Sequence, residues 1–477
     1  MELDLFVKSL FKKASEAGFS EYEVYYVDRE SLSISVYKSE VEKYNVNNSA
    51  GLSFRGKLGD RIGYSYTEIL DEDAIEMLVK KAKENVLAIE NEDVQFIYDG
   101  DKEYKEVNTY YQALENIPAD KLIKIALDME AEAKKYSDKV ESFSGCAVSY
   151  SSGKYGIINS KGLNLHNKSN ILTAYVVPIV KDGDNMYDGF GYVVAKSLDE
   201  VNAFEIAKMG VDEALSKIGA TSIPSGNYKV IINSDAMVSL ISTFAGVFSG
   251  DAVQKGLSLL KGKEGEVIAS NIVNLVDDPH LKDGLASVGF DDEGVATRKT
   301  YLIKNGKLES LLHNLKTANK AGVKSTGNGF KASYASPISV SPTNMYIEPG
   351  INSLEEMTKK IDKGLIITDF AGLHSGANSI TGDFSLAAKG FYIENGIKSK
   401  AVEQITVAGN FFTLLKDVEE IGRDLKFPMS SVGSPSILVK ELSIAGEGSK
   451  NEKIRLDYSW IRSFRTFGWS FSFKIWN

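Results

Sequence analysis

Apolar residues recur at helical spacing near the start of the chain. Leu5, Phe6, Phe11 and Ala14 are separated by lysines, and Gly18 closes the run. The pattern predicts a helix over 4–17. Tyr22–Val27 and Leu32–Tyr37 alternate with period two, which predicts two strands. The glycine-punctuated stretch 51–67, GLSFRGKLGDRIGYSYT, predicts a hairpin. Asp73–Ala88 predicts a second amphipathic helix, so a small α+β unit ends near residue 95. Residues 96–118 read as a linker. Asp120–Tyr136 predicts a helix with Leu122, Ile125, Leu127 and Met129 as its core stripe. Short β-rich segments follow over 139–195. Leu198–Ile218 predicts a helix closed by Gly219, and TSIPSG at 221–226 reads as a domain boundary.

From Tyr228 onward strands are short and turn signals frequent. Phe391–Gly396 (FYIENG) echoes Tyr301–Gly306 (YLIKNG); both are apolar strands entering an Asn-Gly turn, the strongest short hairpin signal. Leu240–Phe248 reads as a buried helix with Leu240, Ile241, Phe244 and Val247 on its apolar face. The predicted class is α+β. Small N-terminal α/β units (1–95 and 119–220) precede a large, mostly antiparallel β-rich C-terminal domain (226–446). Residues 447–477 form an atypical aromatic tail holding Trp460, Trp469 and Trp476. The tail reads as a lineage-specific extension or altered reading frame, or as an aromatic-basic segment for a partner or a membrane interface.

Composition narrows the function classes. With 477 residues, 43% hydrophobic and 25% charged, the chain fits a soluble protein of two or three domains. A net charge of −10 argues against nucleic-acid binding, which needs basic surface. Cys146 is the single cysteine, so neither an intramolecular disulfide nor a thiolate zinc cluster can form. The opening MELDLFVKSLFKK has acids ahead of its basic residues, the wrong order for a secretory signal. No run of about 18 apolar residues occurs, so no membrane span is expected. These features predict a cytoplasmic protein.

Candidate chemistry is sparse. Four histidines are scattered along the chain. The densest acid clusters are Asp277-Asp278-Pro279-His280 and Asp291-Asp292-Glu293. They read either as carboxylate sites for a hard cation or as ordinary turn sequences. His313 is a candidate isolated general base with no nucleophile pattern beside it; His166 and His374 have less context. Cys146 reads as a small buried apolar residue. The Gly-x-Gly patterns lack the endings and context of nucleotide loops.

Four blocks in order carry a family resemblance. They are VQKGLSLLKGK (253–263) with GEVIAS (265–270); GFDDEGVATRKTYLIKNGKLESLLHN (289–314) with STGNG and SPTNMYIEPG; AGNFF (408–412) with IGRDL (421–425); and SPSIL (434–438). Together they resemble the TldD/PmbA family (peptidase U62) over roughly residues 20–446. The resemblance implies a His-Glu-x-x-x-His helix in the third domain of TldD-type subunits, where two His bind zinc and Glu serves as base. The matching stretch here is Ser242-Thr243-Phe244-Ala245-Gly246-Val247. Ser242 and Val247 stand at the ligand positions and Thr243 at the base position. The family's third ligand, a cysteine, has no counterpart in Lys426–Gly433. Ligands five residues apart on an ideal helix diverge by about 140°, so a working site needs a distorted helix, which Gly246 permits.

The resemblance therefore implies the PmbA type, also called TldE. This is a non-metal-binding subunit with no catalytic residue or metal ligand of its own. Zinc is expected only in a TldD-type partner, with which it forms a heterodimeric protease for small or unfolded peptides. A homodimer is possible when the chain is alone. An independent hydrolase and a non-enzymatic regulator of the DNA gyrase modulator type stay open as alternatives.

Overall fold

The structure, a computed structural model, describes residues 1–88 and 95–447. All of the predicted aromatic tail but Glu447 therefore lies outside the described residues. The first half is built on one seven-stranded sheet in the order β3-β2-β1-β4-β5-β6, with β7 also on β5. Its strands are β1 (Glu21–Tyr37), β2 (Glu40–Leu58), β3 (Arg61–Thr67), β4 (Val140–Asn159), β5 (Asn164–Asp182), β6 (Asn185–Asp188) and β7 (Gly191–Ala195). The N-terminal and central units share this sheet, because β1 pairs antiparallel with β4 from Glu23↔Asn159 to Ser35↔Ala147.

Two strands were expected within 21–37, and the structure has one. Asp28–Ser31, which separate the two predicted strands, pair with β2 on one side and β4 on the other. The predicted hairpin over 51–67 likewise starts earlier, at Glu40. Residues 40–50 are exposed on both faces, so no alternation marks them as strand.

Alternate residues divide the sheet's two faces. Helices α1 (Leu3–Glu16) and α2 (Glu72–Ala88) cover Val24, Leu52 and Phe54. Helices α3 (Ala119–Tyr136) and α4 (Ala203–Ser216) cover Ile34, Val148, Leu172 and Val176. In α3, Leu122 and Met129 are buried as expected, while Ile125 and Leu127 are only partly covered. The helix predicted from Leu198 begins at Ala203, because the Asn202 side chain accepts from the N–H groups of Phe204 and Glu205 and caps it there. Leu198–Glu200 is a separate 3-10 turn.

The C-terminal half holds the main core. Strands β8 (Gly226–Ile232), β15 (Lys363–Ala371), β16 (Asp383–Glu394), β17 (Ile397–Asn410), β18 (Val418–Ile421) and β20 (Ile437–Ala445) form a six-stranded sheet. A further β17–β20 pairing closes that path on itself. A second sheet runs β11-β10-β9-β14-β19, through β9 (Leu275–Asp277), β10 (Thr300–Lys304), β11 (Lys307–Leu308), β14 (Met345–Ile347) and β19 (Val432–Gly433). Strands β12 (Gly329–Lys331) and β13 (Ile338–Val340) form a separate pair. Both Asn-Gly turns form, with positive φ at Asn305, Gly306, Asn395 and Gly396, as a two-residue type I′ hairpin requires. Helix α5 (Ser234–Phe244) gives way at Ala245 to a 3-10 turn, and Phe244 stacks on Phe411 at 4.6 Å.

Candidate functional site

The helix-free face of the seven-stranded sheet looks toward the C-terminal half. At one end the two halves meet in an apolar contact of Tyr25, Val27, Tyr155 and Ile157 against Val288, Phe290 and Phe330. Beyond it they part and enclose a chamber of about 1830 Å³. Its floor follows the period of the strands. Ser31, Ser33, Ser149, Ser151, Ser169 and Thr173 line it, while Leu32, Tyr150 and Leu172 between them pack into the core that α3 and α4 cover. The register sets Ser33 beside Ser149 and Ser149 beside Thr173, and the Ser33 and Ser149 hydroxyls are 2.9 Å apart. These hydroxyls donate and accept hydrogen bonds without carrying charge, while Arg29, Glu42, Lys43, Asp188, Lys196 and Asp283 bring charge to the same chamber.

A buried ionic cluster seals the contact end. Lys331 is 1% exposed and lines the chamber. Its Nζ donates to Ser53 Oγ (2.9 Å) and Tyr64 Oη (3.3 Å) and lies over the rings of Tyr64 and Tyr25, 4.6 and 5.2 Å from their centroids. Beside it, Arg55 pairs with buried Glu23 at 2.5 Å, and Tyr64 Oη donates to the Tyr334 carbonyl. Burial, helped by nearby Arg55, pulls the Lys331 ammonium from 10.5 to about 7. Sequence reasoning passed over this cluster. Its members are far apart in the chain, and the only local signal is a lysine in the apolar run Gly329-Phe330-Lys331.

The second acid cluster is structural in its bonding. Asp291 accepts from the N–H groups of Glu293, Val295 and Gly329; Asp292 accepts from Lys331 N; Glu293 accepts from Leu315 N. The carboxylates hold loop backbone that would otherwise be buried without partners. Burial raises Asp292 to about 6 and Glu293 to about 7, and lifts Asp291 well above its usual range. Asp277, expected in a turn, ends strand β9 instead. It accepts from Asn328 Nδ2 and Thr343 N and is raised by burial to about 6. Asp278 accepts from His280 N.

The histidines do not converge. His280 Nε2 is 3.1 Å from Thr297 Oγ1, and buried His313 Nδ1 is 3.2 Å from Thr317 Oγ1. Burial lowers both pKa values. His166 and His374 are exposed. Cys146 is buried, donates to the Ala126 carbonyl, and is pushed by burial to about 12. Among the described residues no three His, Cys, Asp or Glu side chains gather as a metal site would require.

The positions matched to zinc ligands do not fit zinc. Ser242 is exposed. The Thr243 hydroxyl donates to the Ser239 carbonyl. Val247 is 2% exposed within the main core. The 3-10 turn at Ala245–Phe248 supplies the distortion a working site needs, but the donors are missing: hydroxyls are poor zinc ligands and valine offers none. None of the three residues lines the chamber.

Comparison with known proteins follows the same division of the chain. Residues 22–86, 112–218 and 225–446 match the models for domain 1, the central domain and the C-terminal domain of the PmbA/TldA metallopeptidases. A metalloprotease PmbA homologue of Haemophilus influenzae is 27% identical over 93% of this chain and 96% of its own length. A solved Thermotoga maritima chain, described as a candidate modulator of a DNA gyrase, is 33% identical with a TM-score of 0.87, covering 93% of this chain and all of that one. TldE from Thermococcus kodakarensis, at 24% identity and a TM-score of 0.85 over 92% of this chain and all of its own, shares the fold.

Proposed function

Because the chain belongs to the PmbA/TldA metallopeptidase family, we propose that it is a TldE-type subunit that carries no metal of its own. In this reading it forms a heterodimer with a TldD-type subunit, which supplies zinc and the catalytic base. The present chain supplies chamber wall, and the substrates are small or unfolded peptides in the cytoplasm. The observation that carries the reading is the donor chemistry of Ser242, Thr243 and Val247 on a fold that otherwise keeps the family's three parts. The hydroxyl-lined floor supports it, since uncharged donors and acceptors suit the main chain of a peptide whatever its side chains. With a net charge of −10, direct contact with DNA is disfavoured.

The test is co-expression with a family member that carries His-Glu-x-x-x-His. A stable complex that cleaves an unfolded peptide, with chelator sensitivity and with neither chain active alone, is the expected result. Robust chelator-sensitive cleavage by this chain by itself would overturn the reading.

A further inference from the structure

Among the cations that line the chamber, Arg29 differs in having no protein partner. Lys196 pairs with Asp283 at 2.5 Å, and Lys331 donates to two hydroxyls. Lys43 stands on the outer stretch of β2, where every residue from 40 to 50 is exposed. Arg29 borders the chamber and is exposed to it. Among the described residues its guanidinium makes no hydrogen bond and has no carboxylate within 4.0 Å. The acids of the chamber are engaged elsewhere. Glu42 accepts from Ser35, Asp283 holds Lys196, and Asp188 lies 3.5 Å from Lys389. Glu30 follows Arg29 in the chain and alternates to the other side of the strand.

The sheet is shaped around this side chain. Arg29 lies between Ser49 of β2 and Gly153 of β4. A Cβ at Gly153 would come within 2.9 Å of Arg29 Cγ, so the arginine stem leans over β4 where only glycine leaves room. Next along, Gly153 faces Ser169 and Tyr155 faces Asn167 of β5, and Asn167 Nδ2 donates to Tyr155 Oη at 3.4 Å. Burial raises the Tyr155 phenol and the Asp292 carboxyl, and the Arg29 charge opposes both rises. The guanidinium therefore stands near the end where the two halves meet.

We propose that Arg29 binds a carboxylate of a peptide lying on the chamber floor, either its C-terminal group or an acidic side chain. The inference rests on the peptide-chamber reading above and names what that chamber selects. A guanidinium offers a planar fork that matches a carboxylate with two parallel N–H···O bonds. The serine and threonine hydroxyls can meet the main chain of any sequence, but they do not fix which way it runs. An anion at Arg29 does. It anchors the carboxylate near the contact end and leaves the rest of the peptide to extend past Ser31 and Ser33 toward Ser35. That path is about 20 Å at about 3.3 Å per residue, or roughly six residues.

The test is binding to the full chain, read by fluorescence anisotropy, of alanine-serine peptides of that length with a neutral dye at the N-terminus. One ends in a free carboxylate, one in a carboxamide, and one in a carboxamide with glutamate as its last residue. The free acid should bind about tenfold tighter than the plain amide, because it alone keeps the charge-assisted pair. Arg29→Gln should close that gap. Arg29→Lys, which keeps the charge without the fork, should retain part of it, and Lys43→Gln should leave it whole. Arg29 is exposed, so the variants should melt where the parent does. The glutamate peptide separates the two sources. Binding like the free acid assigns any peptide carboxylate; binding like the plain amide assigns the C-terminal group. Equal binding of acid and amide by the parent overturns the proposal, as does a gap that survives Arg29→Gln. Peptides that do not bind the chain overturn it too. Whether the chain is a TldE-type subunit is decided separately by co-expression.

Discussion

Replacing Lys331 by methionine separates two accounts of the buried cluster. In one, the ammonium is held by neighbouring carboxylates and stabilises the fold. In the other, its burial is a cost. The geometry favours the second. The nearest partners are the Ser53 and Tyr64 hydroxyls, and among the described residues no ion pair joins Lys331 to a carboxylate within 4.0 Å. Asp292 and Glu293 pull its pKa up, but burial and Arg55 outweigh them and bring it to about 7.

The sign follows from linkage. The folded chain gives up the proton near pH 7 while the unfolded chain keeps it to 10.5. Between those values the unfolded state holds more protons, so stability rises with pH. The interval from 10.5 to about 7 corresponds to about 5 kcal/mol as a ceiling. The methionine variant lacks this term. Near pH 6.5 it escapes the burial cost but loses two hydrogen bonds from a charged donor, each worth about 1.5–3 kcal/mol, so its stability there should be close to the parent's or slightly above. From pH 7 to 10 the parent should gain on the variant by several kcal/mol. Urea unfolding of both proteins at pH 6.5, 8 and 9.5 measures the difference. Tyr64, Tyr155 and Cys146 are common to both proteins and largely cancel. A flat difference, or a variant that gains on the parent as pH rises, would refute the reasoning and show that the carboxylates hold the charge.

Three further outcomes are expected. Grafting Ser242→His, Thr243→Glu and Val247→His should not create a tight zinc site, because the third donor is absent, and burying an imidazole at Val247 should cost about 3 kcal/mol or more; one equivalent of zinc retained through gel filtration by a variant as stable as the parent would contradict this. Glu293 has its folded pKa raised to about 7 from 4.5, so its contribution is complete below pH 4.5 and lost as pH climbs through 7; Glu293→Gln should flatten the fall in melting temperature between pH 5 and 7, and unchanged slopes would count against the assignment. Cys146, buried and shifted to about 12, should resist a thiol reagent at pH 8 until denaturant is added; rapid stoichiometric labelling of the native chain would show an open path to it.

Legibility in the sequence tracked the presence of one apolar face. Helices α1 to α3, the two Asn-Gly hairpins and the apolar side of α5 all have such a face and form where periodicity placed them, although in α1 Leu5 turns out exposed while Val7 and Leu10 join Phe6 and Ala14 in the core. The α+β class follows from the same signal. Strand β2 between Glu40 and Ala50 has no buried face, so alternation could not reveal it, and Asp28–Glu30, left between two predicted strands, are exposed likewise. The ionic cluster failed differently. Lys331 meets Ser53 and Tyr64 from 278 and 267 residues away, and a local window cannot register a contact of that separation. The acids at 277 and 291–293 were visible as a cluster, yet their bonds go mostly to backbone N–H groups, a use with no composition signature. Zinc chemistry needs particular donors at fixed spacing, so whether Ser242, Thr243 and Val247 offer such donors is legible from residue type alone. The chamber floor asks only for polar residues on one face of several strands, as Ser33, Ser149 and Thr173 are, and many sequences satisfy that. A chamber floor of this kind therefore leaves little trace in the sequence beyond the period of its strands.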